Sequence, residues 1–333
     1  MSQQVLKPLG WPQAGLLRMG ANLLSPGGAR ASLLVLIFHR VLPAPDDLLV
    51  DEPDAAAFAA QMDLIRELFN VLVFSEAVER LASGSLPPRA VAITFDDGYS
   101  NNLEVAAPIL AARGMRATFF ITTGFITGGR MWNDTVIEAV RAARESLDAS
   151  ELGLGVLQLP DMQARRRAVD AILSQLKYRE PAERIRIGEV LAERAGLTSE
   201  SRLMMDESQL RRLHSMGMEI GAHCVTHPIL SRIPPERARE EIVESKHRLQ
   251  DVIGSPVKVF AYPNGRPGQD YTREHVAMVR EAGFTAAAST AWGASARGSD
   301  TLQIPRIAPW DQSSLRYALR MLRGFTEKRF KTV

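Results

Sequence analysis

The strongest constraint in this chain is a rhythm. From Leu33 onward, short and almost wholly apolar runs alternate with segments whose apolar residues return every three to four positions. The runs cover residues 33–38, 71–73, 91–94, 117–121, 218–221, 257–261 and 284–288. A strand with one wet face alternates apolar and polar residues, so unbroken apolar runs predict strands covered on both faces, as in parallel sheets. The 3.6-residue pattern predicts helices over 56–68, 103–112, 235–252 and 273–282. Gly114, Gly217, Gly254 and Gly283 stand where a left-handed residue would close a helix, and Asp206 with Gln209 forms a capping pair for a helix over 207–215. Repeated strand–helix units with short joints predict an α/β fold on a parallel sheet or barrel.

Composition narrows the function classes. With 46% hydrophobic and 23% charged residues among 333, the chain is neither disordered, collagen-like nor coiled coil. Forty basic against 38 acidic side chains give no case for a nucleic-acid partner. The one cysteine, Cys224, excludes an intrachain disulfide and a cysteine-rich zinc module. No stretch reaches the ~18–20 apolar residues of a membrane span, and prolines and an arginine interrupt the amino-terminal segment where a signal peptide needs an apolar core. These features predict a cytoplasmic protein.

Three segments depart from the rhythm. Residues 1–30 form an N-terminal segment with a short amphipathic helix over 13–24. Residues 131–205 carry helical patterns (135–145, 161–176, 182–195) and no convincing strand, which predicts a helical insertion within a barrel spanning 31–310; a small independent helical domain is the alternative. Residues 311–333 predict a basic amphipathic helix with Leu315, Leu319, Leu322 and Phe325 on one side. That tail reads as a helix packed on the barrel, the alternative being peripheral contact with anionic lipid at the inner face of a membrane.

The chemistry collects at strand ends. Ile93-Thr94-Phe95-Asp96-Asp97-Gly98 closes one apolar run at its carboxyl end, where parallel α/β folds gather catalytic groups. Two adjacent carboxylates repel unless a cation neutralises one, although Asp-Asp-Gly is also a common turn. Gly221-Ala222-His223-Cys224-Val225-Thr226-His227-Pro228 follows another run; two histidines four apart converge on one metal if the segment begins a helical turn, or else are two satisfied side chains. Phe260-Ala261-Tyr262-Pro263-Asn264-Gly265 ends a third run in a tight turn whose backbone N–H groups suit a developing oxyanion. Trp132 to Asp134 either line a groove or start a helix, with Asn133 or Asp134 as its cap.

Taken together, these segments resemble the polysaccharide deacetylase family (the nodulation-type deacetylase domain, carbohydrate esterase family 4), over roughly residues 33–308. The resemblance implies a distorted (β/α)7 barrel and a hydrolase that removes N-acetyl groups from a glycan. It implies that Asp97, His223 and His227 hold a divalent metal, usually zinc, with cobalt, nickel or manganese as alternatives. It makes Asp96 the general base and the Asn264 backbone N–H part of the oxyanion hole. Two positions depart from the family pattern. Ala261 stands where the family has an arginine that orients the base, and Arg306, in Ile304-Pro305-Arg306-Ile307, is the candidate to restore a guanidinium from a neighbouring strand. No histidine follows His275, so His39, at the end of the first run, is the candidate general acid; the alternative is a structural histidine.

Tyr262, Arg306 and Trp132 complete the candidate set as substrate-contacting residues. His214, His247 and His275 lie in helical patterns and read as solvated. Cys224 fills a slot that asks only for a small side chain. Two further readings stay open: a carbohydrate-binding barrel without catalysis, and an esterase for O-acetyl groups or a hydrolase of another amide.

Overall fold

The computed structural model describes residues 6–7, 9–198, 202–308, 311 and 313–333. Parts of the predicted N-terminal segment (1–5 and 8), of the insertion (199–201), of the barrel's predicted end (309 and 310) and of the tail (312) lie outside the described residues. The strands are β1 (Ser32–Phe38), β2 (Asn70–Leu72), β3 (Ala90–Phe95), β4 (Thr118–Ile121), β5 (Ser146–Asp148), β6 (Val156–Gln158), β7 (Glu219–Ala222), β8 (Val259–Ala261), β9 (Ala286–Ala288) and β10 (Ala294–Ala296). The helices are α1 (Trp11–Leu24), α2 (Ala55–Leu68), α3 (Phe74–Ser83), α4 (Ala107–Ala111), α5 (Trp132–Ala142), α6 (Met162–Leu176), α7 (Pro181–Arg194), α8 (Glu207–Ser215), α9 (Pro235–Ile253), α10 (Arg273–Glu281) and α11 (Ser314–Thr326).

The sheet runs β1-β3-β4-β7-β8-β9 with every neighbouring pair parallel, while β2 shares the edge of β3 with β4. It curls into a deformed barrel. An extended segment, residues 304–307, closes the ring: Ile304 bridges Ala288 on one side and Ile307 bridges Leu36 on the other. The seventh stave is therefore this proline-interrupted segment, while the predicted run 71–73 supplies only the short β2. Strand β10 adds an antiparallel pairing to the start of β1. All predicted helices of the barrel form, and the four glycines named above adopt positive φ at helix ends. The helix predicted over 103–112 is wound as a π-turn, Asn102–Ala106, leading into α4.

Burial on both faces explains the apolar runs. In β1 and β3, partners in parallel register point the same way, so Phe38 and Phe95 stack outward beneath Phe58 of α2. Phe119 of β4 continues the stack at 4.7 Å. The same alternation turns Ile37, Thr94 and the residues just beyond the strand ends toward the barrel axis. Gly221 in β7 is required by packing: a Cβ there would meet the Phe120 ring at 2.5 Å.

The insertion corrects one expectation. Besides α5, α6 and α7 it holds an antiparallel hairpin, β5 with β6, and three-residue strands are too short to leave a period in the sequence. Its helices pack around their own apolar cluster, which includes Ile172, Ile187 and Leu191 and takes in Leu48 from the loop after β1. The tail corrects another. Helix α11 buries Tyr317, Ala318, Met321 and Phe325, while Leu315 and Leu319 face out. The cause is Gly324, which brings the helix so close to β1 that a Cβ would sit 2.8 Å from the Leu34 side chain, and so sets its rotation. Helix α1 packs against α11 and α2 through Ala14, Leu17 and Ala21.

Candidate metal and catalytic centre

The carboxyl ends of β1, β3, β7 and β8 open into a cleft of about 650 Å3, lined among others by His39, Asp96, Asp97, His223, His227, Asn264 and Trp132. At its floor the chain turns sharply. Asp97, Cys224, His227 and Asn264 all have positive φ, and only Arg89 joins them among the described non-glycine residues. Such conformations cost roughly 1–2 kcal/mol each, and their concentration at one place marks backbone held for function. At Asp97 the turn also separates two neighbouring carboxylates, sending each to a different partner.

Asp96 meets Arg306. The guanidinium makes a two-pronged contact at 2.7 and 2.8 Å, and it also donates to the Ser289 carbonyl and the Thr94 hydroxyl. Both side chains are buried. Burial alone would raise the Asp96 carboxyl; Arg306, aided by His223, overrides it and holds the group well below the ordinary carboxylate range. Residue 306 reaches this point because it lies on the segment that closes the ring beside β1. The guanidinium missing at Ala261 is thus supplied from another stave. A substrate contact by Arg306 is ruled out by its burial, and that expectation is corrected.

Asp97 meets the histidines instead. Its Oδ1 lies 3.6 Å from His223 Nε2 and 3.4 Å from His227 Nε2, and the three ligand atoms fall within 4.8 Å of one another. Ligands at ~2.0–2.1 Å from a tetrahedral ion would be separated by about 3.3–3.4 Å. The set could therefore hold a divalent metal. Two further observations fit. Asp97 Oδ1 is buried with no hydrogen-bond partner, and burial, with the field of Asp96, pushes its carboxyl up to about 7 against the opposing pull of His39. Both histidines are pushed below 6.5 by burial, His227 strongly, so their ring nitrogens stay neutral and able to coordinate.

The supports of this cluster lie in the backbone. His223 Nδ1 is 2.7 Å from the Ala261 carbonyl, which makes Nδ1 the protonated nitrogen and aims the Nε2 lone pair into the cleft. The histidines converge through a tight turn rather than the helical turn that their spacing suggested, with ring centroids 4.8 Å apart. Glu241, buried on α9, clamps that turn by accepting from the Val225 and Thr226 amides and the Thr226 hydroxyl. The Cys224 thiol is fully buried and pushed well above 9 by burial and the Glu241 charge, so it stays protonated and packs as a small apolar group.

Across the cleft stands His39. The Asp96 amide donates to the Phe38 carbonyl, so parallel register sets His39 beside Asp96. Its ring is open to the cleft. Desolvation within the cleft would lower its pKa, but the carboxylates of Asp97, Asp96 and Glu52 outweigh it and raise the pKa. Glu52, itself raised by burial, accepts from the Arg40 amide in the loop after β1.

A family model for polysaccharide deacetylases matches residues 83–151 and 161–287, more than half of the chain. The chain belongs to the polysaccharide deacetylase family. A curated protein of Bacillus subtilis (strain 168) named for the polysaccharide deacetylases, YxkH, is 22% identical over 283 residues, covering 84% of this chain and 72% of that one. Among solved structures, the Streptococcus pyogenes deacetylase PplD, in complex with acetate, superposes with a TM-score of 0.60 at 18% identity, over 88% of this chain and 98% of the other. IcaB from Ammonifex degensii gives 0.55 at 20% identity, with the same two coverages. Both likenesses show the fold, a deformed α/β barrel.

The remaining candidates divide. Asn264 lines the cleft, its carbonyl held by the Thr290 hydroxyl at 2.7 Å. Trp132 lines it too, at the first position of α5. Neither Asn133 nor Asp134 is the N-cap of that helix; that position is Met131, and Asp134, the third helical residue, accepts from the Met131 amide as a capping-box partner and from Tyr99. Tyr262 was expected at the substrate but is fully buried, its ring stacked on Tyr271 at 3.9 Å and its hydroxyl donating to the Leu302 carbonyl. Strand alternation explains this correction: Tyr262 points away from the barrel axis. His275, expected in solvent, is buried and accepts from the Thr272 amide at the start of α10. His247 is exposed, as expected, and His214 half-buried.

Proposed function

We propose that this protein hydrolyses the N-acetyl groups of a polysaccharide or glycan intermediate in exopolysaccharide or cell-envelope synthesis, with a divalent metal, zinc first among the choices. The observation that carries the reading is the convergence of Asp97, His223 and His227 beside an arginine-paired Asp96. A metal held by those three side chains would supply Lewis acidity and a water of lowered pKa. The chain's own groups divide the remaining work. Asp96, held ionised by Arg306, takes the proton of the attacking water. The Asn264 N–H faces the negative charge that develops on the acetamide oxygen. His39, its protonated form favoured by the surrounding carboxylates, gives a proton to the departing amine. Trp132 offers an apolar face to the sugar ring.

Acetate release from an acetylated chito-oligosaccharide, abolished by Asp96→Asn, supports this reading. Release only from O-acetyl esters would make the protein an esterase, and binding without turnover would make it a carbohydrate-binding barrel.

We also propose that the protein works at the inner face of a membrane. Supporting this, α1 and α11 lie together and expose Leu16, Met19 and Leu23 with Leu315 and Leu319, and Arg18, Arg316 and Arg323 share these helices. Sedimentation with anionic vesicles is expected to fall when Leu16 and Leu23 are replaced by glutamate; unchanged sedimentation overturns the proposal.

A further inference from the structure

Arg184 takes no part in the proposed reaction. It lies in the first turns of α7, is 3% exposed and lines the cleft. No carboxylate lies within ion-pair distance of it among the described residues. Its Nε is buried without a hydrogen-bond partner, its Nη1 makes one long contact of 3.5 Å to the Lys177 carbonyl, and its guanidinium lies 5.1 Å over the Trp132 ring. The acid whose field acts on it is the exposed Glu180, at the cap position of α7. A cation near a helix amino terminus is also at the wrong end of the helix dipole. A buried, unpaired cation is costly to keep unless a ligand repays it.

The surroundings extend the feature. Lys177, at the end of α6, lines the same wall, and Arg266, in the loop after β8, faces the same cleft close enough for its field to act on Lys177. The buried Asp270 opposes Lys177 and Arg266: its carboxylate accepts from the Arg266 amide and acts on Lys177. The field of Arg184 reaches His227, so the cationic wall and the proposed reaction centre share one chamber. The floor, by contrast, carries the acids Asp96, Asp97 and Glu52.

We infer that Arg184, with Lys177 and Arg266, forms a subsite for an anionic substituent, a phosphate ester or uronate carboxylate, borne by the glycan whose acetamide group enters the floor. The inference rests on the deacetylase reading and names its substrate class. A guanidinium fork matches both anions through paired N–H donors, and the Trp132 face fixes the plane of that fork. An anion held on the wall and an acetamide held at the floor would together fix the direction of the sugar chain.

The test is equilibrium calorimetry on the full chain, with and without EDTA, using N-acetylglucosamine, N-acetylglucosamine 1-phosphate and a disaccharide of N-acetylglucosamine with glucuronic acid. At least one anionic ligand is expected to bind about tenfold or more tightly than the neutral sugar, and the one that gains more identifies the anion. Arg184→Gln should remove that preference, and Arg184→Lys should restore part of it. Lys177→Gln, on the half-buried rim, should weaken it a few-fold and carries the test should the Arg184 variant melt early. Equal binding of neutral and anionic sugars overturns the inference. So does a preference that survives both variants, or one that vanishes with EDTA, which would put the anion on a bound ion. Because the readout is binding, failed turnover sinks only the hydrolase reading, and turnover of neutral chito-oligosaccharides without anion preference sinks only the subsite.

Discussion

The floor and the wall of the cleft are built in opposite ways. The floor comes from strand ends of the barrel, and its charges are compensated: Asp96 by Arg306, the His223 ring by the Ala261 carbonyl, the His223–His227 turn by Glu241. Asp97 Oδ1, buried without a hydrogen-bond partner, points at the two imidazoles. The wall comes largely from the insertion, whose apolar core is separate from the barrel's, and its leading charge, Arg184, is uncompensated. Rigid, internally paired groups suit chemistry that must be positioned before the substrate arrives. An unpaired group on a separately packed unit suits recognition, because the ligand completes it. Within one chamber, on the readings proposed above, the barrel carries the reaction and the insertion the selection.

The sharpest break between the two comes from Asp96→Asn. Acetate release should fall by about 10²–10⁴-fold, the usual worth of a general base, while sugar binding by calorimetry changes little. Loss of binding in equal measure would place Asp96 in recognition instead. Next, Arg306→Leu should lower stability by about 3–5 kcal/mol, because it strands a buried carboxylate. Thermal melts would register this. The same variant should move the acid limb of the pH–rate profile upward: Arg306 lowers the Asp96 pKa, so its removal raises it. A melt like that of the wild type would mean that the pair is not held as described.

Smaller effects sharpen the contrast. Trp132→Ala on the wall should raise KM by roughly fivefold, in line with ~1 kcal/mol of ring contact, and leave kcat nearly unchanged. A matching loss of kcat would join the wall to the chemistry. Glu52→Gln should act on the other limb. The negative field of Glu52 raises the His39 pKa, so its loss should bring the alkaline limb of the rate profile down. An unmoved limb would remove His39 from the role of acid.

The same division governs how much could be read from the sequence. The floor was legible because double-sided burial prints apolar runs, and because Asp96, Asp97, His223 and His227 each stand just past one. Arg306 could be nominated from its short apolar setting, but the stave it lies on was hidden by Pro305, and Ala294–Ala296 by its three small residues. The wall was not legible. Helix α7 carries Arg184, Arg186 and Arg194 in similar local settings, yet Arg186 and Arg194 pair with Glu151 on the outside while Arg184 is buried. Nothing local separates them, since that difference is made by α5 packing across α7. Tyr262 misled for a related reason: adjacency to Asn264 in sequence does not give adjacency in the cleft when alternate residues of a strand point oppositely.

On the proposed reading, Asp97, His223 and His227 act as one cation site at the floor. Elemental analysis of the purified protein, loaded with zinc and dialysed, tests it most directly. About one ion per chain should remain in the wild type and in Arg184→Gln, and almost none once both histidines are replaced by alanine. A wild-type protein that retains no ion, or a double variant that retains as much as the wild type, would contradict it.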